Sequence, residues 1–172
     1  MLGKQVSTKL IAAHLKHHGW PKFQVIEDTA EMTVIHTGWK SDLDDKVPHN
    51  LSIHVNRNRS VMLFKVPQLA SAPPESMSPG RLADLLMAIG FANYALALGR
   101  FSYDPSDGEI TFEYGFPFHN ASISPEQFGH IIDAFTHTVG YWGPRVKDVC
   151  GGERTGETVM ESFIGHARGF SS

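Results

Sequence analysis

A chain of 172 residues with 41% hydrophobic content is long enough for one domain with a single core. A formal charge of −3 and a pI near 6.3 argue against a generic nucleic-acid or polyanion binder, and no basic run changes that. One cysteine, Cys150, excludes an intramolecular disulfide framework. With no signal-peptide core and no apolar run of the roughly 18 residues a membrane span needs, it points to a soluble, cytoplasmic protein.

Residues 6–18 read as a first helix, with Ser7 or a neighbour as cap, Gly19 as stop and a narrow stripe of Leu10, Ile11 and Leu15. Trp20-Pro21 then starts an extended segment, because the residue before a proline disfavours helix. Residues 23–27 and 32–37 are short strand candidates around a turn at 28–31. Residues 38–49 read as a polar connection carrying Asp42, Asp44 and Asp45. Residues 51–55 alternate cleanly, 56–59 form a polar link, and 61–66 are apolar enough for a central strand. Strands joined this closely suggest an antiparallel meander. The Pro/Ala/Ser-rich residues 67–77 read as a crossover.

The strongest signals lie in 78–149. Ser78-Pro79 supplies a hydroxyl N-cap followed by proline at the first helical position, where its missing N–H costs nothing. This helix should run to about Leu98 and stop at Gly99. Leu82, Leu85, Leu86, Ile89 and Leu96 fall on one face, and Met87, Phe91, Tyr94 and Leu98 on the opposite one. A helix apolar on both sides needs cover on both sides. One side suits the chain's own sheet; the other needs a second layer, another subunit or a client.

Residues 101–103 and 109–116 both alternate with period two around Asp104-Pro105-Ser106-Asp107-Gly108, a hairpin whose turn uses a positive φ at Gly108. Phe101, Tyr103, Ile110, Phe112, Tyr114 and Phe116 should face the helices, and Glu109, Thr111 and Glu113 water. Ser124-Pro125-Glu126-Gln127 sets a capping box for a last amphipathic helix. Its dry stripe is Phe128, Ile131, Ile132, Phe135, Val139, Trp142, Val146 and Val149. Gly140 and Gly143-Pro144 should kink or break it near Trp142. Residues 158–167 form either a short helix or a tail that docks only sometimes.

The order is α-β-β-β-β-α-β-β-α, an α+β fold on an antiparallel sheet. Residues 1–150 make the domain and 151–172 a C-terminal tail.

From about residue 5 to 150 the chain resembles the YbjN family of bacterial proteins. The resemblance rests on Ala95-Leu96-Ala97-Leu98-Gly99-Arg100-Phe101, the turn Asp107-Gly108-Glu109-Ile110, the Ser-Pro-Glu helix start, and Gly19-Trp20 ahead of strand hairpins. It implies a fold like that of type III secretion chaperones, with a twisted antiparallel sheet packed with helices. Those proteins are small, acidic, mostly dimeric, and bind extended clients without catalysis. The expectation is therefore a noncatalytic protein-binding or regulatory module, without cofactor, and a homodimer. A secretion role does not follow from a shared fold.

The residues offer weaker alternatives. His14 and His18, four apart, have the spacing of paired helical ligands, but the segment supplies no third ligand, so a wet face is the simpler reading. His130, Asp133 and His137 share a helix face and support a second hypothesis, a metal-binding enzyme or sensor. The acidic loop at 42–45 lacks the glycine and glutamate of a calcium loop. No phosphate-binding glycine fingerprint and no nucleophile elbow occurs. A third hypothesis is an aromatic small-molecule pocket lined by Tyr103 and Tyr114. The favoured site is the stripe Met87, Phe91, Tyr94 and Leu98, used either by two central helices meeting across a two-fold axis or by a client, with free sheet edges open to an extended peptide.

Overall fold

The computed structural model describes residues 6–41, 47–118 and 122–169. Helix α1 (Thr8–His17) is followed by strands β1 (Phe23–Asp28), β2 (Met32–Lys40), β3 (Pro48–Asn56) and β4 (Val61–Ser71). Then come helix α2 (Pro79–Ala95), strands β5 (Arg100–Tyr103) and β6 (Glu109–Pro117), and helices α3 (Pro125–Gly151) and α4 (Gly156–Gly169). The six strands form one antiparallel sheet in the order β1-β2-β3-β4-β6-β5. This is the expected α+β architecture, with α4 added.

Cross-strand register assigns the two faces. Ile35 pairs with Ile53, Ile53 with Phe64, and Phe64 with Tyr114, so these side chains share one face. The helices cover that face. Phe64 meets Phe128 and Phe135 at ring separations of 5.7 and 6.1 Å, and Phe112 meets Phe135 at 4.6 Å. All four phenylalanines are fully buried. The adjacent row, His36, Ser52, Lys65, Glu113 and Arg100, lies on the opposite face.

The caps form as the sequence predicts. Ser7, Ser78 and Ser124 accept from Leu10, Arg81 and Gln127 backbone N–H groups, and Gln127 completes the capping box. Gly108 has φ +76. The dry stripe of α3 is buried throughout.

Several boundaries differ. β2 and β3 extend into the supposed polar connection, where Trp39 pairs with His49; Asp42, Asp44 and Asp45 lie outside the described residues. β4 continues through Pro67 to Ser71 instead of ending at Val66. A register shift between Val66 and Ala70, with Gln68 at φ 48, absorbs the proline within the strand. Helix α2 stops at Ala95, not Leu98: Leu96 is already extended, and Gly99 (φ +79) belongs to the approach to β5. Helix α3 runs unbroken through Pro144. Burial of Trp142, Val146 and Val149 in the core outweighs the backbone bond that proline removes. Thr111, expected to face water, is 6% exposed. Its short side chain lies between those of Glu109 and Glu113 on the same strand face.

Candidate partner-binding face

Helix α2 buries Leu85, Ala88, Ile89 and Ala92. It carries only two charged residues, and the protein engages both internally. The Arg81 guanidinium donates through Nη2 to the Cys150 carbonyl at the C-terminal end of α3, where the helix dipole favours a cation. The Asp84 carboxylate accepts the Gly156 backbone N–H at the start of α4, at 3.1 Å. The outward positions of α2 are therefore uncharged: Gly80, Ala83, Leu86, Met87, Gly90 and Tyr94 are exposed.

The four predicted site residues separate. Met87 is 51% exposed and Tyr94 84%. Phe91 is half-buried, its ring centre 6.4 Å from that of Tyr94. Leu98 is half-buried too, but lies in the connection after the helix, so it does not continue the stripe. Leu86, assigned to the core face by spacing, is 48% exposed. The second layer that the stripe requires comes partly from this chain: α4 packs along α2. A Cβ on Gly156 would lie 2.6 Å from the Asp84 carbonyl oxygen and 2.9 Å from Met87 Cβ.

Sequence reasoning overlooked the small residues. Gly80, Ala83, Met87, Gly90 and Tyr94 follow one another at intervals of three and four, the spacing of a helix–helix seam. Gly90 is mid-helix, and a Cβ there would meet nothing within 4 Å among the described residues. The chain's own packing thus gives no reason for a glycine that costs helix stability. This spacing was visible in the sequence, but small residues do not register as an apolar stripe.

The sheet edges are unequal. On β5, Asn93 Nδ2 donates to the Phe101 carbonyl, while the Phe101 N–H donates to Asn93 Oδ1. The β5 ladder stops where Arg100 pairs with Glu113, so β6 extends past it from Tyr114 to Pro117. A groove of about 530 Å³ opens there, lined by Leu63, Gly99, Arg100, Glu113, Tyr114 and Gly115. Tyr114 reaches this groove, whereas the Tyr103 hydroxyl donates to the Ala72 carbonyl, so the two tyrosines do not form one aromatic pocket. At the other edge, β1 exposes Val25 and Ile26.

The histidines disperse. His14 is buried, with Nε2 3.0 Å from the Ile123 carbonyl oxygen. His18 Nε2 is 3.2 Å from Asp133 Oδ1, which ties α1 to α3 and draws Asp133 away from a shared site with His130 and His137. Among the described residues, no group of three or more His, Cys, Asp or Glu side chains is placed to hold a metal ion. Burial pushes the Cys150 thiol up to about 11, despite the Arg81 guanidinium nearby. None of the helices among the described residues is long and apolar enough to cross a membrane.

No curated protein matches the sequence. A family model described as "Putative bacterial sensory transduction regulator" matches residues 60–147, just over half the chain, from the start of β4 through most of α3. The chain belongs to the YbjN family.

Proposed function

We propose that this protein is a noncatalytic regulatory module that acts by noncovalent protein recognition and pairs with a second copy through the outward face of α2. The observation that carries the reading is the exposed seam in which two large residues, Met87 and Tyr94, alternate with Ala83 and Gly90. A two-fold axis level with the midpoint between Met87 and Gly90 makes two α2 helices antiparallel. Met87 then sits opposite the partner's Gly90, and Tyr94 opposite the partner's Ala83. Each large side chain meets a small one, and antiparallel seams pair positions in this alternating way. Close approach at Gly90 gives that glycine a purpose. No charge on α2 opposes the contact, because Arg81 and Asp84 are already engaged. Leu86 and Phe91 flank the seam; both are already partly buried, so covering what remains contributes about half of the ~1.5–3 kcal/mol that full burial of such a side chain supplies. Pairing leaves β1 and the overhang of β6 as edges for an extended client segment.

The test is charge complementation followed by sedimentation. The wild type should be dimeric, and Ala83→Glu and Tyr94→Arg should each be folded monomers. Mixed together, the two variants should form a heterodimer, because the antiparallel register puts glutamate opposite arginine. A monomeric wild type, or variants that keep the wild-type mass, would reject the pairing.

A further inference from the structure

We infer that α4 is a removable cover on the Met87 flank of α2, competing there with the second copy, so that its undocking regulates pairing. This rests on the pairing face proposed above and concerns its regulation.

The competition follows from position. Helix α4 begins against the backbone of α2: Gly156 is buried, donates to Asp84, and lies where a Cβ would touch both the Asp84 carbonyl oxygen and Met87 Cβ. Met87 thus belongs both to the exposed seam and to the α4 contact. Packed helices lie about 8–10 Å apart axis to axis. A partner helix seated over Met87 therefore meets the flank of α4, and full contact along the seam requires α4 to shift.

Among its described side chains, α4 buries few. Gly156 and Val159 are buried, while Glu157, Thr158, Glu161 and Ile164 are exposed. Its fixed point is its N-terminus, where the Asp84 carboxylate meets the positive end of the helix dipole. The chain leading to it, residues 151–155, is exposed, and Gly152 turns it with φ +81 after capping α3. Helix α4 can swing about this connection while α3 keeps its own cap and its core contacts. A small docked element on an exposed hinge opens at lower free energy than the core unfolds. Covered molecules are incompetent to pair, so the apparent dissociation constant rises as the uncovered fraction falls.

Two full-length variants test this. Gly156→Leu places a side chain against the α2 backbone, and Val159→Asp removes a buried apolar contact of α4. Hydrogen exchange reads the docking of α4, and sedimentation equilibrium reads pairing. Both variants should speed amide exchange in α4 and lower the dimer dissociation constant by about a hundredfold, the result of raising a competent fraction of roughly one tenth in each of the two copies to near unity. If α4 exchange speeds up while the constant stays the same or rises, the cover is refuted and the pairing face stands. If neither variant changes α4 exchange, α4 is not a separable cover and the inference falls. If wild type and both variants are all monomeric, the pairing reading falls and takes the cover with it.

Discussion

Asn93 and Phe101 are joined in both directions. The Asn93 amide donates to the Phe101 carbonyl at 3.0 Å and accepts the Phe101 N–H at 2.7 Å. A side chain on α2 thereby imitates a neighbouring strand and fills one hydrogen-bonding position on the outer edge of β5. The same contact fixes the C-terminal end of α2, and with it Tyr94, against the sheet.

Asn93→Ala should cost about 1–3 kcal/mol, because it leaves both backbone groups of the buried Phe101 unpaired. Denaturant unfolding measures the loss. The opened edge should also raise the tendency to associate through β5, since an unpaired strand edge is a template for another strand. A stability change within a few tenths of a kcal/mol would show that water replaces the amide without penalty.

Asp28 sets an acid limit on stability. Its carboxylate accepts from the Thr8 hydroxyl and the Thr33 hydroxyl at the end of β1, and Arg57 stands 3.7 Å away. The Thr8 hydrogen bond first, then that from Thr33, with Arg57 adding to them, holds its pKa below the ordinary 3.8. A depressed folded-state pKa stabilises the protein above the unfolded value, and that contribution disappears as pH falls through the folded value. Wild-type stability should therefore fall on acidification below about pH 4. Asp28→Asn should lower stability at neutral pH and flatten part of the acid limb. Asp104 and Glu126, also depressed by hydrogen bonds, should retain the remainder. Identical pH profiles for wild type and variant would contradict this assignment.

Cys150 should be nearly inert while the protein is folded. With its pKa near 11 against an ordinary 9.0, its thiolate fraction at pH 8 is lower by about a hundredfold. Alkylation should be slower by that factor than in the denatured chain, and should accelerate towards pH 11. Labelling at the denatured rate at pH 8 would mean that the end of α3 opens freely.

Much of the fold was legible because its signals are local and repeated. Each serine cap stands before a periodic apolar stripe, and the hairpin turn carries glycine where positive φ is needed. The misjudged boundaries are those where tertiary packing overrides a breaker: Pro67 inside β4, and Pro144 inside α3. The candidate face was half legible. Met87 and Tyr94 stand out as large apolar residues away from the core stripe. Hydrophobic periodicity could not place Leu86, because Leu85 and Leu86 are adjacent leucines and only the sheet decides which one is buried. Nor could it show that α4 would return to cover part of α2, a contact that joins Asp84 to Gly156 across a long stretch of chain.

Gly90 gives a prediction of opposite sign for the two levels of structure. Within one molecule, a Cβ at this exposed helical position meets nothing within 4 Å among the described residues. Gly90→Ala should therefore stabilise the monomer by about 0.5–1 kcal/mol through helix propensity and reduced chain entropy. In the proposed pair the partner's Met87 seats on this glycine, so the same methyl group forces the helices apart. Dimerisation should weaken, and Gly90→Leu should abolish it. Thermal unfolding at low and high protein concentration separates the effects, because only the paired state makes the melting temperature concentration-dependent. At low concentration Gly90→Ala should melt above the wild type. At high concentration the gap should narrow or reverse. A gain that stays constant at every concentration would show that nothing approaches Gly90, and the seam would lose the feature that argues for it most directly.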